Sequence, residues 1–115
     1  MEMGMYVAVS DLAVAKKFYS QLFESEPYIE NENFVGFQIQ GGRFGLMRGD
    51  AYAVPLQRGN SAVPNIKVTD IAAEHRRVKS MGPQMIQEPI VDLGAMKLFM
   101  FKDPDGNVIE FFSTG

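Results

Sequence analysis

Two stretches of the chain match each other. VSDLAVAKKFYSQL, from Val9 to Leu22, aligns with VTDIAAEHRRVKSM, from Val68 to Met81, pairing Val with Val, Ser with Thr, Asp with Asp, Leu with Ile and Ala with Ala at a spacing of 59 residues. Matched pieces that also make the same structural sense mark an internal duplication. Each copy reads as strand, cap and helix. A unit of about 50 residues buries too little surface to be comfortable alone, so the copies are expected to share a core.

In the first copy MYVAVS is rich in β-formers, Asp11 can accept a hydrogen bond from the free amides of a helix start, and Val14, Phe18 and Leu22 recur every four residues as an apolar stripe. The helix is expected to stop between Glu24 and Pro27. Short strands follow around Pro27 to Glu30, in NFVGFQIQ and, after a Gly41-Gly42 turn, in RFGLMR. The second copy has NIKVT, the cap Asp70, a helix carrying Ile71, Val78 and Met81, and a stop at Gly82-Pro83. Its strands fit MIQEP, AMKLFMF and NVIEFF, with DPDG making a type I turn and a glycine bulge between the last two. The predicted layout is one domain over 1–115: a β-α-β-β-β module at 1–48, a Gly- and Pro-containing connector at 49–62, and a second module at 63–115.

Composition removes several function classes. Eleven Lys and Arg against 14 Asp and Glu leave a formal charge of −3, and no basic run exceeds His75-Arg76-Arg77, so nucleic acid is not an expected partner. No apolar stretch approaches the roughly 20 residues of a membrane span, and the acid at Glu2 does not suit a secretory leader. The expectation is a cytoplasmic protein without membrane partners. The absence of cysteine excludes disulfides, thiolate metal ligands and thiol nucleophiles.

Tandem β-α-β-β-β modules, the V-S/T-D-L/I junction in each and the terminal DPDGNVIEF together resemble the vicinal oxygen chelate superfamily of glyoxalases, extradiol dioxygenases and bleomycin resistance proteins. The resemblance implies an α+β fold: a curved mixed sheet built from both modules, helices on its convex side, a concave cleft for a small molecule, and a homodimer. In metal-dependent members, one residue from the first and one from the last strand of each module point into the cleft as ligands. The resemblance puts these positions at Glu110, at Leu46 or, one residue on, Met47, and at Gly4 and Val63 or, two residues on, Tyr6 and Asn65. Such a set suits no divalent ion, which wants imidazoles and carboxylates, so no metal or other cofactor is expected. His75 sits in the second helix and reads as a packing or surface residue.

A two-residue period puts Tyr6 on one face of the first strand, Asn65 and Lys67 on the same face as Val63, and Val108 and Phe112 with Glu110. Phe44, Leu46, Met96, Leu98 and Met100 would wall the cleft if their strands take the phase the resemblance implies. The expected ligand-binding set is Tyr6, Phe44, Leu46, Asn65, Lys67, Leu98, Met100, Glu110 and Phe112. The leading reading is a metal-independent protein that binds an apolar or aromatic small molecule, with drug or toxin sequestration as its use. Two alternatives stand beside it: a divalent-metal lyase, isomerase or dioxygenase, and a metal-free acid/base enzyme with Glu110 as its catalytic group.

Overall fold

The computed structural model describes residues 3–39, 41–51, 59, 62–86 and 89–114. The chain divides into two compact units after Arg58, inside the expected connector. The first contains β1 (Gly4–Val9), α1 (Leu12–Phe23), β2 (Ile29–Glu30), β3 (Phe34–Ile39) and β4 (Gly42–Arg48). The second contains β5 (Asn65–Lys67), α2 (Ile71–Ser80), β6 (Val91–Asp92), β7 (Met96–Lys102) and β8 (Val108–Thr114). Each unit is a four-stranded mixed sheet with one helix. The orders are β1-β4-β3-β2 and β5-β8-β7-β6, and in each the first strand runs parallel to the last while the other pairs are antiparallel. The architecture is α+β with tandem β-α-β-β-β modules, as the sequence predicts. Among the described residues no helix is long and apolar enough to cross a membrane.

The two junctions form the same local structure. Asp11 accepts a hydrogen bond from the Val14 amide at 3.1 Å and Asp70 one from the Ala73 amide at 3.0 Å, so each helix starts on an aspartate that satisfies an otherwise unpaired N–H. The helix after Asp11 ends at Phe23, with Glu24 left-handed at φ 51°. The helix after Asp70 is followed by Gly82 at φ 86°, where glycine avoids the steric penalty.

Two expectations need correction. The buried stripe of α1 is Ala15, Tyr19 and Leu22, whereas Val14 is 50% exposed. Tyr19 replaces the Val14–Phe18 line because its ring lies 5.1 Å from that of Phe44, giving a large aromatic burial that a four-residue apolar count misses. Among the described residues the strand expected in MIQEP is a bridge between Met85 and Phe101, and the regular edge strand is Val91–Asp92. Gln87 and Glu88 of that stretch lie outside the described residues.

Candidate functional site

Cross-strand partners share a face of the sheet, so register sorts the side chains. In the second sheet Phe99 pairs with Phe111 and Phe101 with Ile109, and all four are buried. This is the helix side: the His75 ring of α2 meets Phe99 edge-on at 5.0 Å. The opposite, more open face carries the alternate residues, of which Met100, Glu110 and Phe112 are half-buried and Leu98 and Val108 are buried. Asn65, Glu110 and Met100 form one row across it, and Lys67, Phe112, Leu98 and Val91 form the next. Six of the expected ligand-binding residues therefore lie together on one face: Asn65, Lys67, Leu98, Met100, Glu110 and Phe112.

Glu110 sits on a central strand, half-buried, with a carboxamide on one side and a thioether on the other. Among the described residues no side-chain hydrogen bond or ion pair engages its carboxylate. Lys67 on β5 and Lys102 on β7 occupy opposite diagonals from it, since Lys67 pairs with Phe112 and Lys102 with Val108. Diagonal neighbours stand about 7–8 Å apart, within reach of a lysine. Lys102 is absent from the expected set, although extending the period of Met96, Leu98 and Met100 by one step finds it.

The first sheet differs. Val35, Phe37, Phe44 and Leu46 are buried, and the rings of Tyr19 and Phe23 in α1 lie 5.1 and 5.3 Å from Phe44. Phe44 and Leu46, expected as cleft walls, are therefore core residues beneath the helix. Tyr6, 40% exposed, takes the open face, where it pairs with Gly45 and meets Phe34 edge-on at 6.4 Å. The correction has a definite origin. Asn65 pairs with Glu110, and Tyr6, 59 residues before Asn65, pairs with Gly45, so Gly45 and not Leu46 is the counterpart of Glu110. Gly42 already belongs to β4 whereas Gly106 lies in the turn before β8, and aligning the two glycines shifts the strand by one residue.

Gly45 carries no side chain because Phe34 occupies that space. A Cβ there would lie 2.5 Å from the Phe34 ring and 3.1 Å from the Tyr6 Cβ, and one on its neighbour Gly36 would lie 3.0 Å from the same ring. Gly45→Ala is expected to cost about 1.5 kcal/mol in urea unfolding, because the ring must leave its seat. In a Phe34→Ala background the same change should cost less than half as much. Equal costs in both backgrounds would show that the ring is not what excludes the methyl group.

The turn before β8 is built as its sequence predicts. The Gly106 amide donates to the Asp103 carbonyl at 3.0 Å, Gly106 has φ 86°, and the Asp103 amide donates to the Asn107 carbonyl at 2.9 Å. The buried Asp103 carboxylate also accepts from the amides of Asp105 and Asn107 and from Asn107 Nδ2, at 2.8–2.9 Å. Asn107 Oδ1 in turn accepts from the Gly59 amide at 2.9 Å. The motif thus sets the start of β8, and through it the position of Glu110.

A family model described as Glyoxalase/Bleomycin resistance protein/Dioxygenase superfamily matches residues 4–111. The chain belongs to this superfamily. Solved structures agree on the fold of this glyoxalase/bleomycin resistance protein/dioxygenase chain. A glyoxalase/bleomycin resistance protein from Albidiferax ferrireducens T118 is 24% identical over 97% of both chains, with a TM-score of 0.81. A glyoxalase/bleomycin resistance protein/dioxygenase family enzyme from Burkholderia phytofirmans PsJN is 17% identical over 97% of both, with a TM-score of 0.83. A glyoxalase-related enzyme from Fulvimarina pelagi is 19% identical, covering 99% of this chain and 88% of its own, with a TM-score of 0.83. Among curated proteins no sequence matches.

The donors do not fit the metal of the superfamily's metal-dependent members. By register, the open-face residues of the first and last strand in each module are Tyr6 with Gly45 and Asn65 with Glu110. One phenol, one amide, one carboxylate and a glycine lack the imidazoles and paired carboxylates that a divalent ion requires. His75 is on the helix side of its sheet, and the described residues contain no cluster of three or more His, Asp or Glu that could hold an ion.

Proposed function

We propose that this member of the superfamily is a metal-independent binding protein for an apolar or aromatic small molecule, and that sequestration is its use. The observation that carries the reading is the open face of the second sheet, where Leu98, Met100 and Phe112 form an apolar floor beside the polar groups of Asn65, Lys67 and Glu110. A floor of thioether and aromatic groups with few polar anchors suits a flat ligand held by shape and dispersion. Tyr6 adds a ring to the open face of the first sheet. A homodimer in the cytoplasm belongs to the same proposal.

The test is a thermal-shift screen of aromatic compounds beside Zn, Ni, Mn and Fe(II), with metal analysis of the purified protein. A ligand held at 100 times its Kd adds about 2.7 kcal/mol to stability, a rise of several degrees in Tm. Aromatic compounds should give such a rise in the native protein and less than half of it in Met100→Ala. Stoichiometric metal with a comparable stabilisation would sink the proposal. Turnover by Glu110 as a general base is the second reading, favoured by a carboxylate that no described side chain engages. It requires a product that Glu110→Gln abolishes.

A further inference from the structure

Building on the proposed binding face, we infer that the ligand is an apolar acid, an aryl or alkyl carboxylate whose anionic group is held by Lys67. Among the described residues three charged side chains share the open face of the second sheet, and two are positive: Lys67 and Lys102 lie on opposite diagonals of Glu110. The lysines serve different ends of the face, being separated by two strand spacings of about 4.8 Å and four residues of about 3.3 Å along the strands. Among the described residues neither lysine forms an ion pair with Glu110. Two ammonium groups against one carboxylate leave an excess positive charge on this face.

Geometry assigns Lys67 to the ligand. Lys67 stands in the same row as Phe112 and Leu98, whereas Lys102 stands beside Val108 at the other end of the sheet, beyond Glu110 and Met100. A ring lying on Phe112 and Leu98 is about one strand spacing from the Lys67 backbone, so a carboxylate attached to that ring falls within reach of the ammonium. A carboxylate turned the other way would meet Glu110, and like charges repel. Lys67 is exposed, so its contribution is that of a partly solvated ion pair: selectivity among ligands of one shape more than affinity itself.

Three probes with one ring system test this: 2-naphthoate, 2-naphthylmethanol and 2-naphthylmethylammonium, titrated by calorimetry at low and high salt. In the native protein 2-naphthoate should bind about fivefold tighter than the alcohol and more tightly still than the amine. Raising NaCl to about 0.5 M should erase the difference and leave the alcohol unchanged. Lys67→Met should abolish the preference for naphthoate. Lys102→Met should leave the preference in place, and Glu110→Gln should increase it. Unchanged melting temperatures show that the variants fold. Tightest binding by the amine, or a preference for naphthoate that survives Lys67→Met, overturns the inference. Equal binding of all three probes overturns it while the apolar binding face stands, and binding of none of them removes both.

Discussion

Phe99→Ala is expected to remove about 4 kcal/mol of stability, read as a lowered urea midpoint with an unchanged slope. Phe99 is fully buried, and other rings surround its own: His75 at 5.0 Å, Phe111 at 5.6 Å and Phe101 at 5.8 Å. Truncation leaves a cavity between sheet and helix whose rigid aromatic walls collapse poorly. Against the roughly 5–15 kcal/mol of a typical domain this is a large fraction. The next residue is the control. Met100 points to the open face and is half-buried, so Met100→Ala should cost well under half as much. If Met100→Ala proves the more costly of the two, the register of β7 is wrong, and with it the face assigned to the ligand.

Asp103→Asn should cost about 3 kcal/mol although it changes a single atom. One carboxylate oxygen accepts from two backbone amides and the other from Asn107 Nδ2 at 2.8 Å. With an amide at position 103, the backbone donors can keep the oxygen only if the new NH2 faces that of Asn107. Two donors then oppose each other in a buried loop. Exchanging the partners repairs the pattern: when Asp103→Asn is combined with Asn107→Asp, the side chain at position 103 donates where it formerly accepted, and the carboxylate at position 107 retains an oxygen for the Gly59 amide. The double variant should recover at least half of the loss. A double variant as unstable as the sum of the two singles would show that the side-chain pair does not hold the turn.

How far the sequence carries depends on whether local chemistry decides the element. Asp11 and Asp70 announce helix starts because few side chains can accept those amides, and DPDG dictates its turn through a preset φ and a glycine at positive φ. The phase of AMKLFMF stays open in the sequence, because Phe99 and Phe101 suit the helix side and Lys97 does not, and the pairing of Phe99 with Phe111 decides it. In GRFGLMR both parities offer apolar residues, Phe44 and Leu46 on one and Gly45 and Met47 on the other, so alternation alone cannot choose. Only strand pairing settles it, by matching Tyr6 to Gly45 and Met5 to Phe44. The edge strand is hidden for a related reason: two residues, Val91 and Asp92, are too few to show a period. The Gly59–Asn107 bond spans 48 residues, and nothing local encodes it.

The ring of Phe34 lying across Gly36 and Gly45 also bears on how this lineage can change. A substitution that offers a coordinating atom at position 45 carries a stability cost while Phe34 is in place, because its Cβ meets an aromatic ring before any donor reaches the open face. Vacating position 34 first strips the cover from two adjacent glycines and brings no benefit of its own. Gaining a donor at position 45 is therefore coupled to what stands at position 34, and one phenyl group sets the cost of that step.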